Sequence, residues 1–466
     1  MSDNKKAALE LGTKPVGKLL MQYAIPAIIA MTASSLYNMV DSIFIGQGVG
    51  PLAISGLAIT FPLMNLSAAF GAAVGVGAST FISVKLGQKD YDTAKHILGN
   101  TMTLNLIMGL GVGLVCLLFL DPILRFFGAS DQTIPYARDY MVIILLGNVI
   151  THMYFGLNSV LRAAGKPKHA MSATIFTVVL NTLLDPLFIY TFGLGIKGAA
   201  YATVLAQSLA LIWQLYIFSR PKELLHFKRG TFRLQSSIIR NIISIGLSPF
   251  SMNVCACIVV ILINNSMVHY GSDLAVGAYG IANKVAFIFV MINMGVNQGM
   301  QPIAGYNYGA MRYDRLMKVV KYSIIAATAI MTTGFIIAMT IPGPCARLFT
   351  TDPTLIDLSA KGIRYIMVAF PVVGYQMVVS NFFQSIGKAK ISIVLSLSRQ
   401  LLILLPLLLV LPTMFGINGV WVSMAAWIMI VHMRKFKKQH NEITNEQKVI
   451  DNKQKQLTNE QKDTNL

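Results

Sequence analysis

Long apolar stretches alternate with short polar segments along almost the whole chain. Each stretch is close to the roughly 20 mostly apolar residues that a helix needs to cross the hydrocarbon core of a bilayer. Only helices and closed barrels satisfy their backbone hydrogen bonds in lipid, and continuous apolar runs of this length are typical of helices. The pattern therefore predicts an all-α integral membrane protein. The twelve predicted transmembrane helices lie at roughly 19–45, 52–83, 97–120, 136–160, 169–191, 198–218, 238–268, 275–305, 319–341, 361–384, 391–411 and 417–433.

The amino-acid composition agrees with a lipid environment. The 466 residues are 55% hydrophobic and 12% charged, and the mean hydropathy is +0.61. A soluble domain carries about 25% charged residues. This balance excludes a soluble α/β enzyme and a disordered protein. The net charge of +19 would ordinarily suggest nucleic acid as a partner, but nucleic-acid-binding proteins are not this hydrophobic. We expect membrane lipid as the environment and no nucleic-acid partner.

The basic residues test the predicted topology independently, because Lys and Arg are enriched in cytoplasmic loops of membrane proteins. With the N-terminus placed in the cytoplasm, the segments on that side hold most of the basic residues. Lys85, Lys89 and Lys95 follow the second span, for example, and Arg162 and Lys166 follow the fourth. The loops on the opposite side hold few. We therefore expect a multi-pass protein with both termini in the cytoplasm.

The two halves of the sequence resemble each other at an offset of roughly 222 residues. Residues 164–168 (AGKPK) match residues 386–390 (IGKAK), and Pro26 aligns with Pro249. Six helices per half is an even number, so both halves enter the membrane in the same direction. The sequence thus predicts two six-helix lobes related by a pseudo-two-fold axis along the membrane normal, which is a common plan of transporters.

The lobes and their connections can be given approximate boundaries. The N-lobe covers residues 1–218 and the C-lobe residues 238–436. The cytoplasmic loop at 219–237 is predicted to be the hinge between them. Residues 437–466 are rich in Lys, Gln, Asn and Glu, and this composition predicts a disordered cytoplasmic tail. The four cysteines lie in or beside apolar stretches without metal-ligand spacing, so no structural metal or redox role is expected.

Two carboxylates, Asp41 and Asp185, fall inside predicted spans, and both are in the N-lobe. A charge at membrane depth is costly unless it faces a cavity and finds partners, so it indicates function. Asp41 lies about one turn below the outer end of its helix, and Asp185 about two turns below. The alternative is that either aspartate is an interfacial residue that reaches the outer surface.

Polar residues converge on the same level of the N-lobe. Tyr37 and Asn181 are each one helical turn from an aspartate, on the same helix face. Two further polar residues lie just inside the outer ends of the fourth and sixth spans. Two neighbouring carboxyl groups in a low-dielectric surrounding do not both ionise readily, which suits a group that loads and releases protons. Oxygen ligands also suit a small hard cation such as Na⁺. The predicted pocket comprises Tyr37, Asp41, Tyr140, Asn181, Asp185 and Thr203.

The C-lobe has one cation at depth, Lys284. It is a candidate for lining a substrate cavity together with Asn253, Asn293 and Gln298. The alternative is a lysine that extends its side chain to the outer surface of the bilayer. Met153 in the N-lobe is a further candidate, because flexible methionines suit a promiscuous apolar site, although methionines more often serve in packing.

The chain resembles the MATE (multidrug and toxin extrusion) family of transporters. The resemblance rests on the two six-helix lobes and on the paired glycine-rich loops at 85–88 and 308–310. It rests also on residues 162–167 (RAAGKP) and on the pattern Tyr37…Asp41 with Asn181…Asp185-Pro186. It implies a secondary active transporter in the cytoplasmic membrane of a bacterium or archaeon. Such a protein exports organic cations or drugs by alternating access, in antiport with H⁺ or Na⁺, with H⁺ favoured.

The resemblance also assigns roles to the pocket residues. Asp41, Asn181, Asp185 and Thr203 would hold the coupling cation, supported by Tyr37 and Tyr140. No cofactor other than the coupling ion is expected, and the protein is expected to be a monomer. Another branch of the family uses membrane acids in the C-lobe, and this sequence has none there. Pro26 would permit the first helix to bend.

Two other functions fit the sequence less well than export. A flippase of the same superfamily, which moves a lipid-linked saccharide, would need a basic cavity for its anionic substrate. The deep charges here are two acids and one lysine, which favour a cationic or neutral cargo. An intramembrane aspartyl protease would need a Gly-x-Gly-Asp context, but Leu183-Leu184 precede Asp185. We therefore expect a transporter and not an enzyme.

Overall fold

The computed structural model describes residues 10–271, 273–397 and 404–426. Within these residues all regular secondary structure is helical, and there is no strand. The prediction of an all-α fold is confirmed. The N-lobe helices are α1 (Val16–Gly48), α2 (Pro51–Gly87), α3 (Tyr91–Leu118), α4 (Leu120–Phe126), α5 (Ile134–Leu146), α6 (Asn148–Ala163), α7 (Pro167–Pro186) and α8 (Ile196–Ser219). The C-lobe helices are α9 (Ser236–Tyr270), α10 (Asp273–Gly309), α11 (Tyr313–Thr340), α12 (Pro342–Arg347), α13 (Pro353–Met367), α14 (Phe370–Ser385), α15 (Ala389–Leu397), α16 (Leu405–Phe415) and α17 (Ile417–Ala426).

These helices account for the predicted spans. Eight single helices are long and apolar enough to cross a membrane, and two bent pairs, α5 with α6 and α13 with α14, bring the number to ten. The predicted eleventh and twelfth spans appear as α15, α16 and α17, with their remaining residues outside the described part of the chain. The predicted tail at 437–466 also lies outside it. The architecture is consistent with the twelve-helix, two-lobe prediction.

The internal repeat is visible in the backbone itself. Helices α2 and α10 are both 37 residues long, and α3 and α11 are both 28 residues long. Unusual backbone angles recur in the two lobes as well. Lys89 and Met311 have φ of 60° and 54°, and Gly165 and Gly387 have φ of 83° and 78°. The two halves therefore share one fold down to their turns.

Some details differ from the simple pattern of straight spans. The predicted span at 136–160 is bent by 56° between α5 and α6, and the α13–α14 pair is bent by 48°. The short helices α4 and α12 lie in predicted loops. After Pro186 the chain forms a π-helical turn, Leu187–Thr191, because proline cannot donate the backbone hydrogen bond that continues an α-helix.

The lobes meet where α1 packs against α10 and α2 packs against α9 and α10. A Cβ atom on Gly295 would lie 2.6 Å from Cα of Ile28, and one on Gly299 would lie 2.6 Å from Cα of Ala24. Gln301 donates a hydrogen bond to Thr80 across the interface at 2.7 Å. This interlobe seal lies towards the side of the molecule that carries the basic loops at 88–90, 164–166, 310–312 and 386–388, here called the basic side.

On the opposite side the lobes separate. Among the described residues, the hydrogen bonds, aromatic pairs and glycine contacts between the lobes reach no further than Met31 on α1 and Phe70 on α2. Beyond them, side chains on the interlobe helices are exposed, including Leu36 and Ile288. The structure therefore has a cleft between the lobes that is closed on the basic side and open on the opposite side.

Two segments outside the spans are bound to the lobes. Asn100 on α3 holds the loop between the lobes, since its amide donates to the carbonyl oxygens of Thr231 and Arg233 and its oxygen accepts from the backbone N–H of Gln235. An ion pair of 2.5 Å joins Lys166 to Glu223. The predicted hinge at 219–237 is thus held against the N-lobe over much of its length.

The segment before α1, residues 10–15, is bound by the other lobe and is here called the N-terminal arm. Arg312 donates to the carbonyl oxygen of Gly12 at 2.5 Å, and Arg315 donates to that of Lys14 at 2.5 Å. The buried amide of Asn307 donates to the carbonyl oxygen of Leu11 at 3.1 Å. Three C-lobe side chains thereby bind a segment of the N-lobe at the basic side.

Candidate functional site

The packing of α1 against α7 brings the two span carboxylates together. Asp41 is 5% exposed and Asp185 is fully buried. Their carboxyl groups lie within hydrogen-bonding reach of each other. Asp185 stands at the end of α7, directly before Pro186 and the π-helical turn. The break in regular helix therefore positions this aspartate beside α1.

The other residues of the predicted pocket surround this pair. Asn181 donates a hydrogen bond of 2.8 Å to Oδ1 of Asp185 from one turn earlier on α7. The hydroxyl groups of Tyr37 and Thr203 are 3.0 Å apart, which links α1 to α8. The buried Tyr140 lies beside Thr203. The structure thus brings all six predicted residues into one pocket of the N-lobe.

The chemistry of the pocket is that of oxygen ligands. Oδ1 of Asp41 and Oδ2 of Asp185 are buried and accept no hydrogen bond from the described residues. A buried carboxylate oxygen without a donor is costly, and a proton or a small cation removes that cost. No group of three or more His, Cys, Asp or Glu side chains with metal-site geometry occurs in the described residues. Two carboxyl groups with amide and hydroxyl oxygens fit H⁺ or Na⁺.

The pocket lies inside the N-lobe and not on the wall of the cleft. Ile28 marks the face of α1 that contacts the C-lobe. Asp41 is about 140° away from Ile28 around the helix axis, at roughly 100° per residue. Its side chain therefore points towards α7 and α8, while the opposite face of the same helix borders the cleft. One face of α1 thus contributes to the six-residue pocket, here called the acid pocket, and the opposite face contacts the other lobe.

The C-lobe candidates do not form one cluster. Lys284 and Asn253 are exposed on α10 and α9. Gln298 lies in the interlobe seal, with its amide 3.3 Å from the sulfur of Met31. Asn293 is fully buried inside the C-lobe beside Met377. In the N-lobe, Met153 packs against the hydrophobic core.

Sequence reasoning missed a chain of buried and half-buried polar groups that continues from Asn181 towards the basic side. The side chain of Tyr154 lies beside those of Thr177 and Thr174. Asn158 donates to Thr174 at 3.3 Å and accepts from Arg162 at 2.5 Å. The available signal was the helical spacing of Tyr154, Asn158 and Arg162 on α6, which places them on one face.

Comparison with known proteins finds similarity to one family in both lobes. The family model MatE matches residues 26–187 and 249–410, one match in each lobe. The multidrug export protein MepA of Staphylococcus haemolyticus (strain JCSC1435) is 28% identical over 403 residues, which cover 86% of this chain and 88% of the relative.

Solved structures agree over nearly the full length. A structure described as the outward-facing conformation of a multidrug resistance MATE family transporter of the MOP superfamily superimposes with a TM-score of 0.88 at 25% identity, covering 94% of this chain and 98% of the other. A crystal structure of MATE in the bent conformation gives a TM-score of 0.89 at 25% identity, with 95% and 99% coverage.

Proposed function

This chain belongs to the MatE family of membrane transporters, and we propose that it exports organic cations or drugs by secondary active transport, driven through the N-lobe pair Asp41 and Asp185. The observation that carries the proposal is the contact of these two buried carboxyl groups in a pocket of oxygen ligands beside an open cleft. The relatives are multidrug exporters, and this does not favour the flippase alternative.

We further propose that the basic side faces the cytoplasm of a bacterial or archaeal cell, in accordance with the enrichment of Lys and Arg in cytoplasmic loops. Both termini then lie in the cytoplasm. In this orientation the cleft opens to the outside, which agrees with the likeness to an outward-facing transporter. The cargo would leave through the open cleft, and the coupling ion would enter the acid pocket from the same side.

The mechanism follows from the two faces of α1. A hydrogen bond between two carboxyl groups needs one proton, so the pair Asp41–Asp185 in contact is best satisfied when it holds one. Loss of that proton would leave two neighbouring negative charges in a low-dielectric pocket, which repel each other. Because Asp41 and Ile28 lie on opposite faces of α1, movement of α1 away from α7 would change the interlobe contact. Protonation is thereby coupled to lobe movement, and H⁺ is favoured over Na⁺.

The site is tested by neutral isosteric variants. Asp41→Asn and Asp185→Asn should each abolish drug resistance in a host that lacks its own pumps, at unchanged expression, because neither variant can cycle between charged and neutral forms. Asp131→Asn is the matched control, since Asp131 is an exposed carboxylate whose side chain pairs with Arg125. Full resistance in both pocket variants would refute the coupling site.

The coupling ion is tested in proteoliposomes that contain a fluorescent organic cation. We expect a pH gradient alone to drive transport, with no requirement for sodium. Strict dependence on a sodium gradient would assign Na⁺ to the pocket instead. A pH gradient that drives the wild-type protein but not Asp41→Asn would connect the driving force to the pocket.

A further inference from the structure

Lys284 lies on the face of α10 that borders the cleft. Gly295 and Gly299 on this helix contact Ile28 and Ala24 of the N-lobe, and they define its interlobe face. At roughly 100° per residue, Lys284 is only about 20° from Gly295 around the helix axis. The residues that pack inside the C-lobe, such as Ala282 against Gly362, lie on the opposite face. The side chain of Lys284 is therefore directed between the lobes.

The position along α10 places Lys284 halfway down the cleft. It lies about 16 Å above Gly295, where the seal begins, and about as far below the outer end of α10, at a rise of roughly 1.5 Å per residue. Lys284, Phe287 and Ile288 are all exposed, as expected for one wall of an open cleft. A lysine that reaches towards lipid would need a face of α10 that borders neither the cleft nor the interior of the C-lobe, where Ala282 is fully buried.

The charge of Lys284 is not balanced by nearby acids. In the parts of α1, α2, α9 and α10 beyond the seal, the acidic residues are Asp41 and Asp273. Asp41 faces away from the cleft, and Asp273 stands at the outer end of α10. Among the described residues, Lys284 forms no ion pair. An ammonium group at this depth is costly without a partner and indicates function.

We infer that Lys284 is a binding residue for a carboxylate group of the cargo. The inference rests on the proposed export function and narrows its substrate class to drug-like organic cations that also carry a carboxylate. Apolar groups of such a molecule would pack on Ile288 and Met291 of the same wall, while its carboxylate pairs with the Lys284 ammonium. The facing surface of α1 beyond Ile28 adds Met31 and Ser35, which are uncharged.

The probes are tetramethylrhodamine, which carries an ionised carboxylate, and its methyl ester, which has the same fluorophore without that charge. Binding to purified protein in detergent is measured by fluorescence anisotropy. We expect Lys284→Gln to weaken binding of tetramethylrhodamine about tenfold, equivalent to ~1.4 kcal/mol, and to change binding of the ester less than about twofold. Lys284→Arg should retain the preference for the carboxylate. Equal effects on both dyes, or no binding of tetramethylrhodamine to the wild type, would overturn the inference.

A second measurement tests the position of the side chain independently of dye affinity. In a variant whose four native cysteines are replaced, Lys284→Cys should react with a membrane-impermeant maleimide added from outside, and tetramethylrhodamine should slow the reaction. Absence of labelling in protein that still folds would place residue 284 in lipid and refute the inference. Because binding needs no ion gradient, failure of this inference is distinguishable from failure of the coupling proposal, which concerns transport by the Asp41 and Asp185 variants.

Discussion

At the scale of single residues, Tyr37 connects α1 to the rest of the acid pocket through one hydrogen bond. Its hydroxyl is 3.0 Å from that of Thr203 on α8, and it lies one turn from Asp41 on the same face of α1. If α1 moves when the carboxyl pair changes its charge, this hydrogen bond must break or rearrange. Tyr37 therefore contributes to the resting position of α1 without carrying the coupling charge itself.

Tyr37→Phe should reduce export several-fold but not abolish it. A hydrogen bond of this kind contributes about 1 kcal/mol, which corresponds to roughly fivefold in an equilibrium between two positions of α1. Transport rates of Tyr37→Phe and Asp41→Asn are compared in the same proteoliposomes. Tyr201→Phe is the control, since Tyr201 is an exposed tyrosine on α8 near Thr203. A loss in Tyr37→Phe as complete as in Asp41→Asn would contradict this supporting role.

The residues of the pocket were predictable where one helix supplies the pattern. The spacings of Tyr37 to Asp41 and of Asn181 to Asp185 are local features of one helix each. The depth of these residues in the membrane follows from where the apolar stretches end. The different surroundings of Asn293 and Lys284 were not predictable. Both are polar residues on α10, but which face meets the other lobe depends on contacts with Ile28 and Ala24, far away in sequence.

At the scale of helices, the seal depends on close backbone approach between the lobes. A Cβ atom on Gly309 would overlap the carbonyl oxygen of Val84, and one on Gly87 would overlap that of Tyr306. The two glycines are equivalent positions in the repeat, so the same contact occurs twice around the pseudo-two-fold axis. Only glycine permits helices α2 and α10 to come this close.

Gly309→Ala should therefore weaken the seal on the basic side and slow export at least tenfold, since backbone must shift to admit the methyl group. The control is Gly111→Ala on α3, where an added Cβ meets nothing within 4 Å. This control should be neutral or slightly stabilising, because alanine favours helix by about 1 kcal/mol over glycine. Export and thermal stability are measured for both variants. Wild-type export by a well-folded Gly309→Ala protein would show that the close approach is not required.

The sequence predicted the helices better than their bends. Apolar length is a local property, and it located most ends of the described spans to within about four residues. Helices α3, α11 and α13, however, begin six to eight residues before the predicted starts. The bend between α5 and α6 was not predicted, because it has no proline as a signal. At the bend, a Cβ atom on Gly147 would lie 2.6 Å from a methyl group of Val204 on α8, so the bend depends on packing between distant segments.

At the scale of the whole molecule, the N-terminal arm adds a second connection between the lobes on the basic side. Its carbonyl oxygens accept hydrogen bonds from Asn307, Arg312 and Arg315 of the C-lobe. The arm is continuous with α1, which carries Asp41, so it must leave these three side chains, or bend, when the basic side opens. The arm thus stabilises the conformation in which the basic side is closed.

Arg312→Gln combined with Arg315→Gln should shift the lobes towards a form that is open on the basic side. Hydrogen bonds with charged donors contribute roughly 1.5–3 kcal/mol each, and ~1.4 kcal/mol changes a two-state equilibrium about tenfold. The shift is measured by double electron–electron resonance as the distance between two spin labels, in a variant that lacks the native cysteines. Labels at Lys168 and Lys390 report the basic side, and labels at the exposed Phe126 and Leu348 report the opposite side.

We expect the Lys168–Lys390 distance to lengthen and the Phe126–Leu348 distance to shorten in the double variant. Lys14→Ala is the matched control, because Arg315 binds the backbone carbonyl of Lys14 and not its side chain, which pairs with Glu10. The control should keep the wild-type distances. If both distances also stay unchanged in the double variant, the glycine contacts of the seal alone hold the lobes, and the arm follows α1 passively. If only the Lys168–Lys390 distance lengthens, the two sides open independently and do not alternate.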